Sequence, residues 1–424
     1  MAHAASFDPV RRAAAALLAA VTDEGRTLET ALETVKSFQP LEGRDRAFAR
    51  AIASAALRHL GRIDAVLARF MQRPLQQGAE TPRAILRIGA AQILALNAAP
   101  HAAVSTAVDL ANSARTAKPF ARLINAVLRK VAGEGRDLFA ALPAGANLPD
   151  WLFNRWRAAY GDAQAEAIAQ ILSQEPPLDL RAKPGADLPS EARPGPFGAG
   201  RLAHGADLTS LPGFAAGDWW VQDAAASLPA LLLGDVEARS VLDLCAAPGG
   251  KTMQLAAAGA RVTAVDCDEA RLARLRANLE RTKLNAEVVS ADVLAWTPKA
   301  SADAVLLDAP CTATGTLRRR PDVAWLRRPS DIEALALRQK QLLARAASFL
   351  KPGGVLVYAV CSLEPEEGEG VASPPPEGLI AHPITTEEVP NALLTPQGWL
   401  RTTPSDYGGE GGVDGFFAAR FIKA

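Results

Sequence analysis

Apolar positions recur at three- and four-residue spacing through 47–60, 84–96 and 102–114, the period of helices with one buried face. Turn signals such as Pro40-Leu41-Glu42-Gly43 and Ala99-Pro100 punctuate them. Asp8-Pro9 reads as an N-cap followed by proline in the first helical turn. That predicts a core helix. It argues against a secretory leader built from Arg11-Arg12 and the apolar run 13–21, which flows on into Asp23-Glu24. Residues 9 to about 135 therefore read as helices only. Residues 136–175 read as a helical connector carrying Trp151, Trp156 and Tyr160. From Glu175 to about Gly217, proline and glycine become dense around short apolar runs such as 178–182, which predicts a small α/β subdomain.

From Arg239 the pattern changes to β/α alternation. Strands are predicted at 240–244, 261–265, 287–290, 304–307 and 354–360, with helices opening at Lys251 and covering 269–281 and 332–350. This alternation implies a doubly wound, mostly parallel, Rossmann-like sheet. Ligands in such sheets sit at the carboxyl ends of the strands. Asp266, Asp292, Asp308 and Cys361 all fall there. The plan is multidomain, α plus α/β: a helical domain at 1–138, the connector and small subdomain at 139–235, and the Rossmann-like domain at 236–424.

Charge alters this picture. The 424 residues hold 46 basic and 46 acidic side chains, a balance that argues against nucleic-acid binding only if charge is evenly spread. It is not. Residues 1–140 carry 19 Lys and Arg against 12 Asp and Glu, a net of +7, which leaves −7 for the remainder. A basic helical part facing a polyanion fits this asymmetry, and an arginine-rich solvated surface fits it as well. The cysteines are Cys245, Cys267, Cys311 and Cys361, with no C-x-x-C pair, so neither a structural zinc site nor a disulfide framework is expected. A reducing cytoplasm fits, and no apolar run is long enough to span a membrane.

The first strand leads into Cys245-Ala246-Ala247-Pro248-Gly249-Gly250-Lys251-Thr252. Glycines let backbone approach a ligand, and a helix N-terminus favours anionic groups. Gly250-Lys251-Thr252 matches the end of a P-loop, but the glycine required five positions earlier is Cys245. The competing reading is an S-adenosylmethionine site. Asp266, 17 residues after Gly249, is placed for ribose hydroxyls, and Asp292 for adenine. Each aspartate alone is as readily a turn or cap residue. Cys311, following Asp308-Ala309-Pro310, and Cys361 end two different strands at this edge. The histidines (His3, His59, His101, His204 and His382) lie outside the strand-end motifs. A methyl donor beside a thiol suits carbon 5 of a pyrimidine, which becomes nucleophilic only after a thiolate adds to carbon 6. Asp308 is placed for the pyrimidine edge. To donate there it would have to be protonated. The base must leave any stack to enter.

These stretches resemble the Sun-type RNA 5-methylcytosine methyltransferases. The likeness is carried by Asp243-Leu-Cys-Ala-Ala-Pro-Gly-Gly-Lys251-Thr, Asp308-Ala-Pro-Cys311-Thr-Ala-Thr-Gly, Arg318-Arg-Arg-Pro-Asp322-Val-Ala-Trp325-Leu-Arg-Arg, Cys361-Ser-Leu-Glu-Pro-Glu-Glu and Asp414-Gly-Phe-Phe-Ala-Ala-Arg420. Upstream, Arg44-Asp45-Arg46-Ala-Phe48, Ile85-Leu-Arg87-Ile-Gly89 and Ile124-Asn125-Ala-Val-Leu-Arg129 resemble the NusB-type helical RNA-binding fold.

The pairing of the two implies an S-adenosylmethionine-dependent, cytoplasmic and monomeric enzyme acting on small-subunit (16S) ribosomal RNA. The resemblance implies that Cys245, Ala246, Ala247, Pro248, Gly249, Gly250 and Lys251 form the cofactor loop, with Asp266 on ribose and Asp292 on adenine. It implies Cys361 as the nucleophile and Cys311 in product release. Asp308 would lie between cofactor and base, with Lys251 ordering the site. Arg318, Arg319, Arg320, Arg327 and Arg328 would contact phosphates, and no metal is implied. Thr312 stands where the family has serine, Val360 where it has threonine, and Pro374–Pro376 interrupts a region the family makes helical. A glycine-rich run, 405–413, replaces a histidine-containing stretch. The same chemistry on transfer RNA or 23S RNA, a P-loop ATPase, and a non-catalytic RNA-binding factor stay open on sequence.

Overall fold

The computed structural model describes residues 8–424, and His3 lies outside the described residues. The chain divides into two compact units, one comprising residues through Ser173 together with Arg320–Arg327, the other comprising Gln174–Arg319 and Arg328–Ala424.

The first unit is helical: α1 (Pro9–Thr22), α2 (Leu28–Thr34), α3 (Gly43–Arg58), α4 (Leu60–Phe70), α5 (Glu80–Leu94), α6 (Pro100–Ser113), α7 (Ala121–Ala141), α8 (Asp150–Tyr160) and α9 (Asp162–Leu172). Asp8 caps α1 as the sequence predicts, its Oδ1 accepting from Arg11 N at 3.0 Å with proline in the first turn. The apolar run that imitates a leader is a core face: Ala13, Ala14, Leu17, Leu18 and Val21 are buried. They join Ile52, Ile85, Ile88, Leu128 and Val131 in one cluster. The unit continues past the boundary placed at 138, because α8 and α9 bury Leu152, Trp156 and Ile168. Arg58, at the end of α3, donates to the carbonyl of Leu172 at 3.1 Å, satisfying an open carbonyl at the end of α9.

The second unit opens with β1 (Leu178–Ala182), β2 (Arg193–Pro194), β3 (Gly200–Leu202) and β4 (Trp219–Val221), an antiparallel sheet of order β2-β3-β1-β4 whose connections hold only single 3₁₀ turns. After α10 (Leu228–Leu231) comes the larger sheet. Its elements are β5 (Ser240–Leu244), α11 (Gly250–Ala257), β6 (Arg261–Asp266), α12 (Glu269–Thr282), β7 (Glu287–Ser290) and β8 (Ala302–Asp308). After α13 (Val323–Leu326) the chain continues through α14 (Pro329–Ser348), β9 (Leu350–Val360), α15 (Glu369–Ala372), β10 (Leu379–Ala381), β11 (Leu400–Arg401) and β12 (Phe417–Lys423).

The strand order is β10-β12-β9-β8-β5-β6-β7, with β11 beside β12. From β9 to β7 the neighbours are parallel, and β10, β11 and β12 add an antiparallel edge. Val241, Val262 and Leu306 pack into one cluster, while Ala264 packs with Leu272, Leu275 and Leu279 of α12 in another. The central strands therefore bury both faces and read as near-continuous apolar runs. The chain runs from β5 outward to β6 and β7, then returns to β5's other flank as β8. The switch point, where such sheets open a crevice, lies between β5 and β8. No helix among the described residues is long and apolar enough to cross a membrane.

Between β8 and α14 the chain leaves this unit. Residues 320–327 belong to the helical one. There Asp322 Oδ2 accepts from Leu28 N, in the first turn of α2, at 3.0 Å. Trp325 Nε1 donates to Leu57 O at 3.1 Å, and Trp325 and Leu326 pack on the helical core.

Candidate active site

The loop leaving β5 is held from behind. Cys245 has φ 61° and Gly249 φ 103°, both in the left-handed region. At Gly249 a Cβ would also meet Leu275 Cγ at 2.8 Å, so both conformation and space demand glycine. Asp266, at the end of β6, accepts from Ala247 N through Oδ2 and from Asp268 N through Oδ1, each at 3.0 Å. Arg271 donates to the Ala247 carbonyl. Thr252 Oγ1 donates to Asp243 Oδ2 at 2.6 Å, tying α11 to β5. Burial pushes Asp243 up to about 7, with the threonine bond opposing it. A P-loop threonine faces metal and its lysine faces phosphate. Here the Thr252 hydroxyl is buried against Asp243 instead.

Lys251 spans the switch point. Its Nζ lies 2.7 Å from Asp308 Oδ2, at the end of β8, and 5.0 Å from the centre of the Phe416 ring. Burial pulls the pKa of this ammonium group down, but the Asp308 charge and hydrogen bond outweigh it and the net shift is upward. Lysine is thus held charged, and Asp308 is its acceptor. Asp292 lies farther along the strand-end edge, accepting from Leu294 N at 3.0 Å with Arg338 3.6 Å away.

The two cysteines that follow β8 and β9 come together. Cys311 Sγ and Cys361 Sγ are 3.4 Å apart, within S–H···S reach. Cys311 is buried and Cys361 partly open. The hydrogen bond to Cys361, followed by burial, pushes Cys311 well above the ordinary thiol range. Gly315 N donates to the Cys361 carbonyl at 3.0 Å, and Gly415 N to the Gly315 carbonyl at 2.9 Å. A Cβ on Gly315 would meet Gly415 O at 1.9 Å, so only glycine lets these three segments close together. Cys267, by contrast, is exposed.

A 16S rRNA methyltransferase RsmB/F family model matches residues 230–422, and a NusB family model matches residues 8–133. The ribosomal RNA small subunit methyltransferase B of Sodalis glossinidius is 36% identical over 98% of this chain and 98% of its own length. The chain belongs to the RsmB/F family. The Vibrio vulnificus protein of the same name is 35% identical over 98% of this chain and 99% of its own. A methyltransferase homologue from Pyrococcus horikoshii, solved as a crystal structure, is 28% identical with a TM-score of 0.53, covering 65% of this chain and 96% of that one. An RsmB/F enzyme with a NusB-like helical region is an RNA methyltransferase, and the P-loop ATPase and non-catalytic readings fall.

Within this RsmB/F chain, one expectation needs correcting. Arg318 does not present itself to a phosphate: it is 1% exposed, bonds Asp223 Oδ2 and the Gly411 carbonyl at 2.7 Å each, and lies 3.6 Å from Asp414. Arg319 is exposed yet bonds Asp414. Arg320 and Arg327 are half-buried and Arg328 is exposed. The buried arginines instead order the glycine-rich run. Arg201, anchored on Asp179, donates to the carbonyls of Glu410 and Gly412 at 2.7 and 2.8 Å, and Arg318 takes the carbonyl between them. Near Pro374, α15 stops after four residues. The replacement at position 312 keeps its hydroxyl function. Thr312 Oγ1 bonds Glu367, an acceptor that a serine hydroxyl would also reach. Glu367 itself is missed by sequence reasoning, although it closes the Cys361 motif.

Proposed function

We propose that this chain transfers a methyl group from S-adenosylmethionine to carbon 5 of one cytosine in 16S ribosomal RNA, through a covalent bond between Cys361 and carbon 6. The carrying observation is the thiol pair, 3.4 Å apart, at strand ends beside the Lys251–Asp308 ion pair. The strand-end residues fit the cofactor. The loop from Cys245 to Gly250 offers backbone at a switch point, and each Asp266 oxygen keeps a lone pair for a ribose hydroxyl beyond its one backbone bond. Asp292 borders the adenine position.

When bound, S-adenosylmethionine supplies an electrophilic methyl group. The Cys361 thiolate adds to carbon 6, and the displaced electron pair makes carbon 5 nucleophilic. Once carbon 5 is methylated, Cys311 takes its proton, the carbon 5–carbon 6 double bond re-forms, and Cys361 leaves as a thiolate. Asp308, paired with a cation, accepts from the cytosine amino group in place of the donor role toward a ring nitrogen. Arg319, Arg320, Arg327 and Arg328 face the RNA backbone, whose binding weakens with salt. Both thiols must be reduced, which a reducing cytoplasm supplies.

Bisulfite sequencing of 16S RNA from a strain lacking this protein tests the reading. One cytosine should lose its protection. An unchanged pattern would refute 16S RNA as the target. For the cofactor site, Asp266→Ala should weaken S-adenosylhomocysteine binding by at least about tenfold, since a charged hydrogen-bond acceptor contributes roughly 1.5–3 kcal/mol. Titration calorimetry measures this, and an unchanged Kd would remove Asp266 from the site.

A further inference from the structure

Glu367 is fully buried, and its carboxylate is surrounded by neutral donors. Oε1 accepts from Thr312 N at 2.9 Å and Gln339 Nε2 at 3.0 Å. Oε2 accepts from Ser362 Oγ at 2.5 Å and from the Thr312 hydroxyl. Thr312 directly follows Cys311, and Ser362 directly follows Cys361. One carboxylate therefore grips the residue after each thiol. Its own position is fixed from α14 and β9. Gln339 Nε2 also donates to the Pro310 carbonyl at 2.9 Å, and Tyr358 Oη donates to the Glu367 carbonyl at 2.5 Å.

Burying a carboxylate among neutral groups is costly, and hydrogen bonds offset that cost only in part. Burial accordingly pushes Glu367 upward against the pull of its four donors. A neutral amide could tie two loops at lower desolvation cost. The charge at this place therefore calls for a role in the chemistry, and it is among the charges that disfavour ionising Cys311.

We propose that Glu367 is the positioning residue of the thiol pair, holding the Cys311 and Cys361 loops in the register that carries the reaction from adduct formation to adduct release. This rests on the two-thiol reading above. Glu367 acts through Thr312 and Ser362 and touches neither substrate nor cofactor. Other ionisable groups around the pair are Tyr358, Asp308, Lys251, Arg319 and Arg401. All are retained in the variants below.

The test compares Glu367→Gln and Glu367→Ala in the full chain on a 16S RNA fragment. It follows adduct formation and adduct release across pH, together with S-adenosylhomocysteine affinity. Glu367→Ala should slow formation and release by about 100-fold, the scale of a 1 Å misplacement of reacting groups, with unchanged S-adenosylhomocysteine affinity. Glu367→Gln keeps the size and part of the hydrogen bonding, so formation should recover to within about tenfold of wild type. It removes the negative charge beside Cys311, so release, which rises with pH as Cys311 ionises, should begin its rise at lower pH. A wild-type release profile in Glu367→Gln would overturn the proposal, as would equal losses in both variants. If the alanine variant does not fold, the glutamine profile decides alone. Cys361→Ala and Cys311→Ala are run in parallel. Adduct formation by Cys361→Ala would sink the two-thiol reading itself, whereas normal cysteine controls with silent Glu367 variants would sink only the positioning role.

Discussion

Cys361→Ala should lower methyl transfer to 16S RNA by about 10⁴-fold or more while S-adenosylhomocysteine still binds, because losing a covalent nucleophile removes the reaction path and not merely a contact. The two halves of the expectation rest on different strands. Cys361 follows β9, whereas the loop proposed to hold the cofactor leaves β5 and is braced by Asp266 on β6 and by the Thr252–Asp243 bond. Neither brace includes the thiol. Alanine at this position removes a partly open sulfur and adds no bulk, so the loops that meet at Gly315 and Gly415 keep their approach. Labelled methyl transfer measures the loss and calorimetry the retained binding. Turnover near wild type would place the nucleophile elsewhere.

Cys311→Ala should behave oppositely, accumulating a covalent protein–RNA species visible on a denaturing gel. In the free protein the contact with Cys361 is the leading cause that holds the proton on Cys311. Once Cys361 is bonded to carbon 6 its sulfur is a thioether, and that restraint is relieved. Cys311 then ionises more readily and can take the proton from carbon 5. With alanine there, bond formation proceeds and elimination stalls. The same logic sets a pH dependence in the wild type: release requires the Cys311 thiolate, so it slows as pH falls and the adduct becomes longer-lived. A variant that turns over without adduct would assign elimination to another base.

Much of this site is legible in sequence because it lies on regular elements. Alternation of apolar runs and helices places Asp266, Asp308 and Cys361 at strand ends, and a parallel sheet brings its strand ends to one edge. The meeting of the two thiols is harder to foresee. It needs β8 and β9 to be neighbours, a matter of strand order that local pattern does not encode. Arg318 shows the limit plainly. Within Arg318-Arg319-Arg320 it looks like a solvated charge run, and its partner Asp223 is 95 residues away. Glu367 is similar: it sits in a recognised motif, but its donors Thr312 and Gln339 are 55 and 28 residues off. The antiparallel edge strand β12 also escapes a reading guided by β/α alternation, since it follows irregular chain.

The excursion at 320–327 has a consequence for how the protein is made. The ninth helix of the helical unit ends at Leu172, yet the Asp322 carboxylate that receives Leu28 N and the Trp325 indole that reaches Leu57 O are encoded about 150 residues later. During synthesis, at roughly 5–20 residues per second, the unit waits many seconds for its last pieces. An N-terminal fragment ending near residue 173 is therefore an unfinished object, with the seat of Trp325 left open. The helical unit cannot reach its native set of contacts until the segment just beyond the Cys311 loop has been translated, so the two units share a timetable as well as a chain.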